Sequence, residues 1–134
     1  MGWGHMGQSV AYGATLPGDG VPVWAAALGE TGVTFLLILA IFTMAAHPRT
    51  RRFTPLALPV VLSVLVWLEA PLSGASANPA RSFGPALIAR VSMDPWIYMI
   101  GPSLGAILYA GFVRLEAVRL PRVTVARLFH FHSF

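Results

Sequence analysis

The residues Asn78-Pro79-Ala80-Arg81 put a carboxamide, a proline and a guanidinium within a single helical turn. Asn followed by Pro is a helix-start signal: the Asn side chain caps, and proline in the first helical position lacks an N–H that would be unpaired anyway. The spacing predicts a short helix from Pro79 to about Ala89, led in by an extended arm of about six residues. By themselves, Asn78 reads as a helix cap and Arg81, three residues on in the first turn, as an interfacial cation that snorkels to the headgroups. The chemistry they could also do is to hydrogen-bond a neutral molecule while the guanidinium and the positive end of the helix dipole disfavour a cation. This is not a catalytic set, because no Ser–His or paired-carboxylate arrangement converges on one depth and no nucleophile can be named. There is no Cys, which excludes thiolate chemistry. His130 and His132 form an H-x-H pair, but two ligands without a third make no metal site. No metal or cofactor is expected.

The elements that must position these residues belong in lipid. The chain has 134 residues, 56% of them hydrophobic and only 10% charged, with a mean hydropathy of +0.69. A soluble domain carries about 25% charged residues. Val23 to Ala46 is a 24-residue stretch whose single charge is Glu30, long enough for a hydrocarbon core of about 30 Å. Phe53 to Ala70 forms a second span and Pro95 to Val113 a third, opened by the interfacial aromatics Trp96 and Tyr98. Gly101 and Gly105 in the third span form a GxxxG pair, a signal for close helix packing. Residues 1–22 have no basic leader region and read as a loop outside the membrane.

All nine basic residues are Arg, and the net charge is +4. They flank apolar runs rather than forming a stripe, so nucleic acid is not an expected partner. Arg49, Arg51 and Arg52 join spans one and two, and Arg114, Arg119, Arg122 and Arg127 follow span three, in a basic tail over residues 114–134. Basic residues are retained on the cytoplasmic side. Seven of the nine Arg then lie inside, with the N-terminus outside and the C-terminus in the cytoplasm. Residues 72–90 are too polar at their start to cross lipid and too apolar afterwards for an ordinary loop. They describe a re-entrant arm and half-helix, which is tolerated at membrane depth only where protein or a watery cavity surrounds it. The expected fold is an all-α membrane protein of three transmembrane helices and one re-entrant half-helix.

The run Ser-Gly-Ala-Ser-Ala-Asn-Pro-Ala-Arg-Ser-Phe-Gly-Pro-Ala-Leu, between spans opening Thr54-Pro55-Leu56-Ala57 and Trp96-Ile97-Tyr98, resembles the second NPA segment of the aquaporin or major intrinsic protein family. The resemblance covers nearly the whole chain and corresponds to the second half of that family, one of its two inverted repeats. It implies a passive channel in a plasma or inner membrane for water or small uncharged solutes, with Asn78, Pro79 and Ala80 as the pore motif. It also implies a selectivity constriction at Val66, Ala75 and Arg81. Strict water channels of the family usually have His at the first of these positions, and Val66 departs from that toward a wider, less polar aperture for solutes such as glycerol or undissociated metalloid acids. Ser82 stands where glycerol facilitators tend to have Asp.

In the family the acid matching Glu30 accepts hydrogen bonds from the re-entrant arm and orients its carbonyls. A proton-relay role for Glu30 is disfavoured, since no second buried acid or His is placed to receive the proton. Glu69, at the outer end of span two, is read as a solvated rim residue, with a vestibule role as the alternative. The resemblance further implies a tetramer of complete channels. The chain contains one such repeat, and its Asn78 and half-helix N–H groups need a covering surface in lipid. A complementary first-half repeat is therefore expected, either on the same longer chain, of which this is then a fragment, or on a separate one. A non-conducting membrane scaffold, or a truncated product needing a partner half, is the alternative.

Overall fold

The computed structural model describes residues 11–92 and 94–115. His130, His132, Arg119, Arg122 and Arg127 lie outside them, as do residues 1–10 of the expected N-terminal loop. Among the described residues the protein is all-helical, and three of its helices are long and apolar enough to cross a membrane.

Helix α1 (Val23–Ala46) begins after Pro22 and ends at His47, which takes the extended conformation that a following proline favours. A tight turn leads into α2 (Thr54–Ser73) through one 3-10 turn at Arg51–Phe53. The Thr50 hydroxyl donates to the Met44 carbonyl at 2.8 Å, taking up a carbonyl that the end of α1 leaves unpaired. α2 runs three residues past the expected end at Ala70 and continues through Pro71. It stops at Gly74, whose φ of 82° only a glycine adopts without strain. The extension follows from Glu69, which is buried inside the molecule instead of marking the helix rim. Leu72 and Ser73, expected in the re-entrant segment, are thus the last turn of α2.

The half-length helix α3 (Pro79–Ala89) has 11 residues. At about 16 Å it reaches roughly halfway through a hydrocarbon core. Helix α4 (Pro95–Arg114) follows, with Pro95 in its first turn.

The central helix is α1, which packs chiefly on α4 and next on α2. The GxxxG pair explains the closer seam. A methyl group on Gly105 would lie 2.5 Å from the Thr31 carbonyl, and one on Gly101 would lie 2.7 Å from Glu30 Cβ. Glycine alone lets the α1 and α4 backbones meet at that distance. Beyond the glycines the helices separate enough for Phe35 to meet Tyr109 and Phe112 edge-on, with ring centroids 6.3 and 5.7 Å apart. The small core of Ala26, Ile97 and Tyr98 sits at the other end of the same seam. The remaining helix faces are apolar and uncovered, with Trp67 on α2 76% exposed. Such faces are suited to lipid or to another apolar protein surface.

Candidate pore-lining site

Five residues, Gly74 to Asn78, connect α2 to α3. The arm is not simply extended. Gly74, Ala75 and Ala77 all have positive φ, at 82°, 52° and 50°. For the two alanines this costs on the order of 1–2 kcal/mol each, so something must hold them.

That support is Glu30, fully buried on α1. Its Oε1 accepts from the Ser73 hydroxyl and, at 2.7 Å, from the Ser76 N–H; its Oε2 accepts from the Ala77 N–H at 2.7 Å. Charge-assisted bonds of this kind are roughly twice as strong as neutral ones. Three donors on one carboxylate turn the back of the arm toward α1. The buried Tyr98 of α4 adds a fourth tie, its hydroxyl donating to the Ser73 carbonyl at 2.8 Å.

A run of hydroxyls fixes the other side of the arm. Ser82 donates to Ser76 Oγ at 2.6 Å, and Ser76 donates to the Asn78 carbonyl at 2.6 Å. Thr15, in the segment before α1, closes the run by bonding Ser82 Oγ. Ser82 is therefore a fully buried strut between the N-terminal segment and the half-helix. It does not line the groove described next.

Asn78 caps α3: its Oδ1 accepts from the Ala80 N–H at 3.0 Å, and its backbone carbonyl accepts from the Arg81 N–H at 3.1 Å. With Pro79 lacking a donor, the half-helix N–H groups are taken internally rather than left unpaired as expected. The oxygen faces the helix, so the Nδ2 amide faces away from it. Asn78 Nδ2 has no partner among the described residues and Asn78 is exposed.

Val66, Ala75, Asn78 and Arg81 line a single groove of about 430 Å³. Four of the sequence-derived site residues, drawn from α2, the arm and α3, thus come together. Pro79 and Ala80 are exposed in the first turn of α3, beside the groove but outside its lining, and Glu30 stands behind the arm. Sequence reasoning missed Val33 and Leu37 of α1 and Leu62 of α2, which complete the apolar wall. Leu62 and Val66 are one turn apart, so helical spacing from Val66 is a signal that finds Leu62. Nothing local points to Val33 or Leu37. Ser76 and Ala77 of the arm line the groove too, so its polar residues are Ser76, Asn78 and Arg81, set among apolar side chains. It can hydrogen-bond a neutral guest and disfavour a cation.

A sequence profile described as major intrinsic protein matches residues 3–113. Among curated relatives, the chain is 43% identical to aquaporin TIP4-4 of Zea mays over 98 residues, covering 72% of this chain and 38% of that protein. It is 36% identical to aquaporin-4 of Homo sapiens over 128 residues, covering 94% of this chain and 37% of that one. A probable aquaporin TIP2-2 of Arabidopsis thaliana is 36% identical over 114 residues, covering 78% of this chain and 44% of its own length. The chain thus spans less than half the length of these relatives.

Proposed function

The chain belongs to the major intrinsic protein family, and from that premise we propose that it forms one half of a passive transmembrane channel for water and small uncharged solutes. The groove shared by Val66, Ala75, Asn78 and Arg81 carries the proposal. A permeant oxygen accepts from Asn78 Nδ2 and then from Arg81, while the fixed guanidinium charge and the α3 dipole repel cations and protons. Val66 and Ala75 set the width. An apolar, small-residue pair at that level leaves room for a polyol as well as for water. Glu30 acts from behind, holding the arm N–H groups so that Ala75, Ser76 and Ala77 keep their places along the groove.

The helix faces beside the groove expose large apolar side chains such as Leu62 and Trp67, and the chain matches under half of the length of its relatives. Both features support a complementary three-span repeat, on the same longer chain or another, as the other wall. They fit complete channels assembled as tetramers. In this arrangement Arg49, Arg51, Arg52 and Arg114 face the cytoplasm of a plasma or inner membrane, with the α3 N-terminus entered from outside.

Stopped-flow swelling tests the proposal, using vesicles that hold this chain together with a first-half repeat. Swelling in water and in glycerol gradients should exceed that of bare lipid, and Arg81→Ala should change the ratio of solute to water permeability. Equal rates with and without protein, in vesicles where both halves are inserted, would overturn it. Bare-lipid permeability in both the wild type and Arg81→Ala, with assembly of the two halves intact, would leave a scaffold role instead.

A further inference from the structure

A second groove, of about 580 Å³, lies between α1 and α2 and shares no residue with the one at Asn78. Leu36, Ala40, Thr43 and Met44 line it from α1, and Val61 and Leu65 from α2. From Leu36 to Met44 it follows α1 for about 12 Å, from the middle of the helix to within a turn of its end at Ala46. Thr43 is the one polar side chain in its wall.

The loop at that end is basic. His47, Arg49, Arg51 and Arg52 lie within six residues, and all four are exposed. The loop is tied down, because Thr50 bonds the Met44 carbonyl at 2.8 Å and the Thr50 and Arg51 N–H groups both return to the His47 carbonyl. His47, Pro48 and Arg49 shape a pocket of about 400 Å³, starting three residues beyond Met44. The Arg52 guanidinium lies over the exposed Phe53 ring, 4.6 Å from its centroid, which anchors the loop at an interface. α2 starts here too, so the positive end of its dipole faces the same place, with no acid in its first turn. The described acids, Asp19, Glu30, Glu69 and Asp94, all stand toward the opposite ends of the helices.

Retention of arginine on one side of the membrane accounts for the sign of the loop, but it asks for no groove beside it. A free anion would use the loop and leave the groove empty, whereas an apolar helix would fill the groove and leave the cations bare. An anionic phospholipid has both parts in the right order, a phosphate for the guanidinium groups and an acyl chain for the seam below them. We propose that such a lipid binds here, its phosphate held by His47, Arg49 and Arg51 and one acyl chain lying in the groove from Met44 to Leu36. Only the choice of the cytoplasmic leaflet rests on the orientation proposed above. The site itself is separate from the permeation path, so its failure would leave the channel reading intact.

Native mass spectrometry of the full chain, released from a neutral detergent, tests the site. Offered equal amounts of dioleoyl phosphatidylglycerol and dioleoyl phosphatidylcholine, the chain should retain the anionic lipid. Arg49→Gln should weaken that retention about fivefold, the effect of one cation near an anionic lipid. Arg114→Gln removes a charge at the end of α4, outside the groove and the loop, and should leave retention unchanged. Ala40→Trp, which fills the groove, should release the lipid although the loop is intact. Should that variant not fold, dihexanoyl phosphatidylglycerol and inorganic phosphate serve in its place, and each should be held far more weakly than the long-chain lipid. Equal retention of the two headgroups, or equal losses in Arg49→Gln and Arg114→Gln, would overturn the site. Retention that survives Ala40→Trp, or that is as strong for phosphate as for the lipid, would overturn the part given to the groove. A lipid-free dimer in place of lipid adducts would assign the groove to a second copy and overturn the proposal.

Discussion

The two sides of the arm from Gly74 to Asn78 are built on opposite rules. Behind it, Glu30, Ser73 and Ser82 are buried and each is hydrogen-bonded. In front, Asn78 and Arg81 are exposed to a groove walled by Val33, Leu37, Leu62 and Val66. The buried side spends its donors inside the protein, whereas the groove side keeps its donors for a guest. A pore needs both, since a donor can be left unsatisfied toward a guest only where the backbone bearing it has no freedom to turn inward and satisfy itself. Substitutions behind the arm should therefore act on stability first, and substitutions in front of it on permeation first.

Glu30→Ala should separate the two sides most sharply. It leaves the Ser73 hydroxyl and the Ser76 and Ala77 N–H groups without their acceptor, at about 1–3 kcal/mol for each buried unsatisfied donor. It also removes what holds Ala75 and Ala77 at positive φ. The expected result in reversible unfolding from detergent micelles is a loss of several kcal/mol, with permeability lost alongside. Glu30→Gln keeps one acceptor oxygen and should fall between the two. A stable Glu30→Ala chain with unchanged permeability would mean that the arm is held from the front after all.

The α1–α4 seam comes next. Gly105→Leu should separate the helices, since even a methyl group there meets the Thr31 carbonyl. Overpacking of this kind costs about 1–3 kcal/mol. Gly111→Leu is the matched control, because a side chain at Gly111 meets open space. Equal melting of the two variants would show that the glycine seam contributes nothing.

How far these regions could be read from residues alone follows the same division. The spans are legible because crossing a bilayer constrains length and polarity locally, and the Asn78-Pro79 start of α3 is legible because capping acts over one turn. Val66 and Ala75 are legible only by resemblance, whereas Arg81 also follows from its spacing to Asn78. The left-handed turns at Ala75 and Ala77 carry no local signal. Alanine has no preference for them, and they exist because an acceptor on α1, more than 40 positions away, fixes the N–H groups of Ser76 and Ala77. Glu69 was misplaced for a related reason: a charge near the end of an apolar run normally marks a water interface, and only the packing of α2 on Gly29 turns it inward. Ser82, which stands where glycerol facilitators tend to have Asp, is a strut to Thr15, a partner that no local pattern announces.

Ser82→Ala should have a smaller effect than either change above. It removes the donor to Ser76 Oγ and the partner of Thr15, a loss of about 1–3 kcal/mol if one hydroxyl stays unsatisfied. Because Ser76 still donates to the Asn78 carbonyl, Asn78 should keep its cap and the solute-to-water permeability ratio should be unchanged. A shifted ratio would move Ser82 from the supporting side of the arm to the permeating side.

Val66→His should be the least felt by the fold and the most informative about the groove. Val66 is half-buried on the open wall of α2, and a substitution that disturbs no buried network typically changes stability by no more than about 0.5 kcal/mol. The imidazole adds bulk and a polar partner opposite Arg81, so the aperture narrows and becomes wetter. In vesicles containing the complete channel, glycerol flux should fall while water flux persists. The converse double variant, Val66→His with Arg81→Ala, should recover part of the solute flux, because the width removed on one wall is returned on the other. If both fluxes fall in parallel in Val66→His, the constriction lies elsewhere along the groove. If neither changes while stability also holds, Val66 faces lipid or the partner repeat, and the division between a supporting and a permeating side must be drawn nearer to Asn78.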